Sequence, residues 1–258
     1  MVSHSSFTIV NGPVVSLKSK LLKAVISSCS GETCSFENIS KVIAYCSQEP
    51  WLPNGSVEKI ILATLSMDHQ SYQSVLDTCD LNRDLSNMPL FDQTIIGRKG
   101  ASSSGGQRHR QVLARAVYAR KSIPLIDNIL SSLDAQTSQT VFNSVAGQGG
   151  LARRWGVVVI LITDNERHLQ QADNTIILQK NLYVEKYGDF EELNSRDIMR
   201  KCTSKTTEHI PTVDLRCHQP RKLQQYHEEA RPIQTTECDD AQQDLARKLA
   251  ISLSTNTT

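Results

Sequence analysis

Residues 97–134, GRKGASSSGGQRHRQVLARAVYARKSIPLIDNILSSLD, constrain the fold more than any other part of the chain. A polar turn, Ser102-Ser103-Ser104-Gly105-Gly106-Gln107, runs into 108–120, where Val112, Leu113, Ala116 and Val117 recur at helical spacing between basic residues. The amides of that turn then lie at a helix N-terminus, where anions are favoured. The next run, Ile123-Pro124-Leu125-Ile126-Asp127, is too short for a second helix and apolar enough for a strand buried on both faces. A carboxylate at the end of such a strand is where an α/β sheet places a metal or ligand contact.

Upstream, Phe7-Thr8-Ile9-Val10 reads as a buried strand that opens onto Gly12-Pro13-Val14-Val15-Ser16-Leu17-Lys18-Ser19-Lys20 and then the helical LLKAVISS. Strand, loop with Lys-Ser, and helix is the layout of a phosphate-binding P-loop. That loop needs glycine before its lysine, because it turns tightly with its amides pointing inward. Leu17 stands at that glycine position, and nearby Val15 is β-branched and suits no positive-φ conformation. Gly12, Lys18 and Ser19 remain: a backbone turn, an ammonium for phosphate and a hydroxyl for Mg²⁺.

Ser-Gly-Gly-Gln, a basic amphipathic helix, an apolar strand ending in Asp127, and Ser131-Ser132-Leu133-Asp134 follow one another at a spacing that resembles ATP-binding cassette (ABC) nucleotide-binding domains. The resemblance makes Ser104, Gly105, Gly106 and Gln107 the signature loop, Asp127 the Walker B carboxylate and Asp134 the D-loop residue. Residues 41–57 add AYCSQEPWLPNGSV, similar to the Q-loop of the multidrug-resistance-associated (C) subfamily, first-half domain, with Gln48 sensing Mg²⁺ and coupling to the membrane domain. Trp51 reads equally well as a packing residue. The implied nucleotide-binding set is Gly12, Lys18, Ser19, Gln48 and Asp127, with Ser19, Gln48 and Asp127 on the metal and ATP and Mg²⁺ as cofactors.

The implied fold is α/β: a P-loop NTPase-like core with a helical subdomain at about 65–120, within a partial cassette spanning 1–193. Residues 71–88, with Val75, Leu76, Cys79 and Leu81 on an amphipathic pattern, read as part of that subdomain, 135–145 as a helix after the D-loop, and 157–162 as a central strand. Residues 175–178 read as a late strand and 184–193 as a closing turn and helix. Only about ten residues precede the P-loop, so the cassette is expected to be incomplete at the N-terminus, without the aromatic loop that stacks on adenine. From 194 to 258 apolar content falls and the tail is expected to be largely disordered. Within it, 243–248 fits either a generic polar helix or the segment that links a first cassette to the second membrane domain.

Besides Leu17 in the loop, two chemical groups depart from the family pattern. Asn128 follows Asp127 where a carboxylate usually orients the attacking water, and an amide accepts no proton at neutral pH. Asp164 follows Thr163 where the family has a histidine, so it places negative charge near a γ-phosphate. His168, about 6 Å further along a helix, is no substitute. No catalytic residue is assigned, and ATP hydrolysis is expected to be impaired.

With 28 basic and 27 acidic residues, the charge balance gives no footprint for nucleic acid or a polybasic membrane anchor. Seven scattered cysteines without a CxxC pair point to reduced thiols in a cytoplasmic setting. No apolar run approaches the roughly 20 residues that cross a bilayer, so membrane association is expected only through a transporter partner. His69 and His109 show no partner pattern and read as solvent-facing. Three readings follow: part of an ATP-driven efflux transporter, working with a second nucleotide-binding domain and transporter membrane domains; a non-catalytic partner of an intact cassette through the signature face; or an inactive truncated fragment.

Overall fold

The computed structural model describes residues 6–13, 16–29, 43–97, 103–178 and 184–188. Val14, Val15, Ser102, the 189–193 part of the closing segment and the 194–258 tail lie outside them. The architecture is α/β, built on a six-stranded sheet. Its strands are β1 (Phe7–Asn11), β2 (Ile43–Cys46), β5 (Ile123–Asp127), β6 (Val159–Ile162), β7 (Asn174–Leu178) and β8 (Val184–Gly188), in the order β2-β5-β6-β1-β7-β8. All neighbours pair in parallel except β7 and β8. A mostly parallel sheet of this kind is consistent with a P-loop-like core.

Each central strand is apolar on both faces because helices cover both faces. In β1, Phe7 and Ile9 face one core and Val10 the other; in β6, Val159 and Leu161 alternate with Ile160 and Ile162 in the same way. On the second face lies α1 (Lys18–Cys29), packing Leu21, Leu22 and Val25 against Leu125, Ile160 and Leu178. The first face receives α5 (Gly105–Tyr118) and α6 (Ala135–Val145), with Val112, Leu113, Val141 and Phe142 in its core. Pro124 is tolerated in β5 because the ladder to β6 begins at Leu125, one residue later.

Between β2 and α5 lie a two-stranded ribbon, β3 (Gly55–Ser56) with β4 (Ile95–Ile96), and the helices α2 (Val57–Leu62), α3 (His69–Thr78) and α4 (Asn82–Ser86). The amphipathic stretch 71–88 is carried by α3 and α4, which part where Asp80 takes a left-handed φ of 52°. α7 (Leu151–Arg154) and α8 (Glu166–Leu169) complete the described helices. None of the described helices is long and apolar enough to cross a membrane.

Two boundaries differ from expectation. Val184–Gly188 is a strand antiparallel to β7, not the start of a turn and helix. The helix after the Ser-Gly-Gly turn starts at Gly105, three residues earlier than apolar spacing indicated. A capping box places it there: Ser104 Oγ accepts from the Gln107 amide, and Gln107 Oε1 accepts from the Ser104 amide. Two glycines carry no periodicity signal, so hydrophobic spacing alone starts the helix too late.

Candidate nucleotide site

β1, β5 and β6 run parallel side by side, so the residues after Asn11, at Asp127 and after Ile162 gather at one edge of the sheet. This is the crevice where open α/β sheets bind ligands. β1 ends in a tight loop, where Gly12 has φ 154° and a Cβ would lie 2.3 Å from the Leu178 carbonyl oxygen. Only glycine fits that approach. The loop closes through the Ser16 amide, which donates to the Pro13 carbonyl at 3.0 Å, and α1 begins at Lys18.

Leu17 takes φ 58°, the left-handed region in which a Cβ costs about 1–2 kcal/mol. The backbone here is one that glycine adopts without strain, and leucine occupies it. Ser16 Oγ, fully buried, has no hydrogen-bond partner among the described residues.

Lys18 folds back over its own loop and is only 8% exposed. Its Nζ donates to the carbonyls of Gly12 at 2.5 Å and Pro13 at 3.2 Å. It also lies 3.3 Å from Asp164 Oδ1. One residue on, Ser19 Oγ donates to Asp127 Oδ1 at 2.9 Å, while the Tyr45 hydroxyl donates to Asp127 Oδ2 at 3.0 Å. Burial first, and then the Asp127 charge, push the Tyr45 phenol far above its ordinary range. Asp127 is itself buried.

The segment carrying Asp164 is pinned on both sides. The Thr163 carbonyl accepts from Asn11 Nδ2 at 2.9 Å, and Thr163 Oγ1 meets His168 Nδ1 at 3.2 Å. His168 is fully buried and stacked on Phe142, with ring centroids 4.0 Å apart; burial holds its imidazole down at about 4. It therefore points into the core rather than the crevice.

The Ser-Gly-Gly-Gln turn stands apart: among the described residues no hydrogen bond or ion pair joins Ser104, Gly105, Gly106 or Gln107 to Lys18, Ser19 or Asp127. Ser104 and Gly105 are exposed, and a Cβ on Gly105 would meet nothing within 4 Å. His109, one turn into α5, is buried rather than solvent-facing as expected. Its Nδ1 is 2.8 Å from the Gly105 carbonyl, and its Nε2 is 3.0 Å from the Gln48 carbonyl and 3.4 Å from Ser132 Oγ. It ties α5 to the segments holding Gln48 and Ser132. His69 is exposed, as expected.

The comparisons with known proteins agree on one class. ABC multidrug transporter B of Aspergillus fumigatus is 38% identical over 194 residues, 75% of this chain and 13% of the relative. ABC transporter gloK of Glarea lozoyensis is 37% identical over 192 residues, 74% and 14% respectively. The chain carries an ABC transporter-like domain. ABC transporter FGM5 of Gibberella zeae extends the likeness to 217 residues, 83% of this chain, at 39% identity. The chain spans only 13–14% of the length of these curated relatives. No protein-family model matches it.

Of the residues singled out in sequence, the ABC transporter-like domain brings together Gly12, Lys18, Ser19, Asp127 and Asp164. Gln48 is exposed; its backbone carbonyl meets His109, and its side chain meets neither Ser19 nor Asp127. Asn128 takes a left-handed φ of 50°, and its carbonyl accepts from Ser131 Oγ at 2.7 Å. Asp134 caps α6 by accepting from the Thr137 amide at 2.9 Å, a bond that holds its carboxyl below the ordinary range. Trp51, left open between two roles, is 65% exposed and sits under the Arg115 guanidinium at 5.8 Å, so it is not a core residue. Tyr45 and His109 were missed: each acts through a partner more than 60 residues away in sequence, which a local pattern does not contain.

Proposed function

We propose that the chain is the ATP-binding part of an ATP-driven efflux transporter of the C-subfamily type, with hydrolysis impaired. The observation that carries this reading is the Lys18, Ser19 and Asp127 arrangement at the C-terminal edge of β1 and β5. The donor set fits Mg²⁺-bound ATP. Ser19 and Asp127 offer hard oxygen ligands 2.9 Å apart, as Mg²⁺ requires. The unpartnered Ser16 hydroxyl and the Cβ-free turn at Gly12 leave polar, close-approach backbone for phosphate.

In this reading Lys18 would hold phosphate oxygens and Ser19 and Asp127 the metal, with the exposed Gln48 after β2 as a further ligand. Bound MgATP supplies a transferable phosphoryl group with its charge partly neutralised. The chain's own residues supply binding but little of the chemistry. Asn128 cannot take a proton from water, and Asp164 opposes charge building on the terminal phosphate. The relative named as a multidrug transporter supports the efflux reading. Membrane domains and a second cassette are then the partners, and the membrane's cytoplasmic face the location.

A second reading, a non-catalytic partner of an intact cassette, is favoured by the open signature turn. Its capping box is complete and the Gly105 position faces free space.

Titration of a fluorescent ATP analogue with Mg²⁺ tests the first reading. Saturable binding that is lost in Lys18→Ala is expected. Binding unaffected by Lys18→Ala, or absent even in Leu17→Gly, refutes it and leaves the second.

A further inference from the structure

Lys18 and Asp164 together imply a preference between nucleotides. An ammonium carries three donors; Lys18 donates to the Gly12 and Pro13 carbonyls, and the Asp164 carboxylate lies at ion-pair distance, 3.3 Å away. Two of these belong to the loop that lysine closes. The third is the only charged one and comes from a different strand end.

In P-loops the lysine is the group that reaches the β- and γ-phosphates. We propose that Asp164 is an internal anion seated on Lys18 in place of a terminal phosphate, so that the site takes a nucleoside diphosphate in preference to a triphosphate. This rests on the nucleotide-binding reading above and specifies which nucleotide that site holds.

The seat is built rather than incidental. Thr163 is held by Asn11 Nδ2 and by buried His168, and its amide donates to the Val10 carbonyl at 3.4 Å. Asn165 follows as the N-cap of α8, its side chain accepting from the Arg167 amide at 3.1 Å. The backbone on either side of Asp164 is thereby fixed, and its carboxylate projects over the crevice with 54% of its side chain open to solvent.

A diphosphate can use the loop and Lys18 while Asp164 stays at the rim. A triphosphate brings a third phosphate against Asp164, and at a few ångströms two like charges in a partly solvated site repel enough to cost about tenfold in affinity.

The experiment measures equilibrium affinities of MgADP and MgATP for the parent, Asp164→Asn and Lys18→Ala, by calorimetry, with unfolding temperatures recorded in parallel. Asparagine keeps the shape and an acceptor for Lys18 and removes only the charge. The expected result is tighter MgADP than MgATP in the parent, and an Asp164→Asn change that tightens MgATP about tenfold while moving MgADP less than about threefold. Failure of the parent to bind either nucleotide, with Asp164→Asn binding MgATP, overturns the diphosphate preference and leaves the nucleotide reading standing.

An unchanged ADP-to-ATP ratio in an Asp164→Asn protein that still unfolds cooperatively overturns the proposal, while Lys18-dependent binding leaves the nucleotide reading standing. No nucleotide bound by the parent or Asp164→Asn overturns the proposal, and the Leu17→Gly titration then decides the nucleotide reading.

Discussion

Mild acid should weaken this fold through one residue, His168. The imidazole is fully buried, stacked on Phe142 and bonded to Thr163, and burial lowers its pKa from 6.5 to about 4. The unfolded chain takes up this proton near 6.5 and the folded protein near 4, so between those values the unfolded state binds more protons. Stability from this group is complete above pH 6.5 and falls as pH drops toward 4. The full difference is about 3 kcal/mol, and the share lost between pH 7 and pH 5 is about 2 kcal/mol.

Urea unfolding followed by circular dichroism at the two pH values reads this directly, beside His168→Phe, which keeps the stack on Phe142 and does not titrate. The parent should lose about 2 kcal/mol more than the variant over that interval. The carboxyls of Asp68 and Asp134, held below their ordinary range chiefly by hydrogen bonds from Ser71 and Thr137, act below the window and equally in both proteins. Parallel losses in parent and variant would refute the assignment. Because His168 holds Thr163, the same acidification should loosen the segment that presents Asp164.

Gly12→Ala forces a Cβ to within 2.3 Å of the Leu178 carbonyl oxygen and should cost about 3 kcal/mol or more, read as a lowered unfolding midpoint. Tyr45→Phe removes one of two donors to Asp127 and should cost about 1–2 kcal/mol by the same assay, with a fold otherwise intact by circular dichroism. Ser104→Ala breaks the capping box at α5 and should cost about 1 kcal/mol, with faster hydrogen exchange at the Gln107 amide.

The parallel core was legible because its signals are local and redundant. Phe7 to Val10, Ile123 to Asp127 and Val159 to Ile162 are apolar on both faces, a pattern that leaves a strand little choice but burial between helices. Lys18, Ser19 and Asp127 were legible as a group because the lysine and serine sit where a strand gives way to a helix and the aspartate where a strand ends. What escaped depends on approach between distant segments. His109 carries no local mark of its contacts with Gln48 and Ser132, and polar flanking residues made it read as surface. Asp164 was legible as a misplaced charge, but its pairing with Lys18 follows from β1 and β6 lying side by side, which only the sheet order reveals. The start of α5 was hidden because a capping box, not apolar spacing, fixes it.

The most direct test of a site that binds nucleotide without hydrolysing it is the identity of nucleotide recovered with the protein. The protein would be incubated with MgATP, separated rapidly from free ligand, and its bound nucleotide resolved by chromatography. Intact ATP, absent from the Lys18→Ala protein, is the result expected from the Lys18, Ser19 and Asp127 geometry with Asn128 beside it. Recovery of ADP with released phosphate, dependent on Lys18, would contradict the impaired chemistry, and recovery of no nucleotide would contradict the site itself.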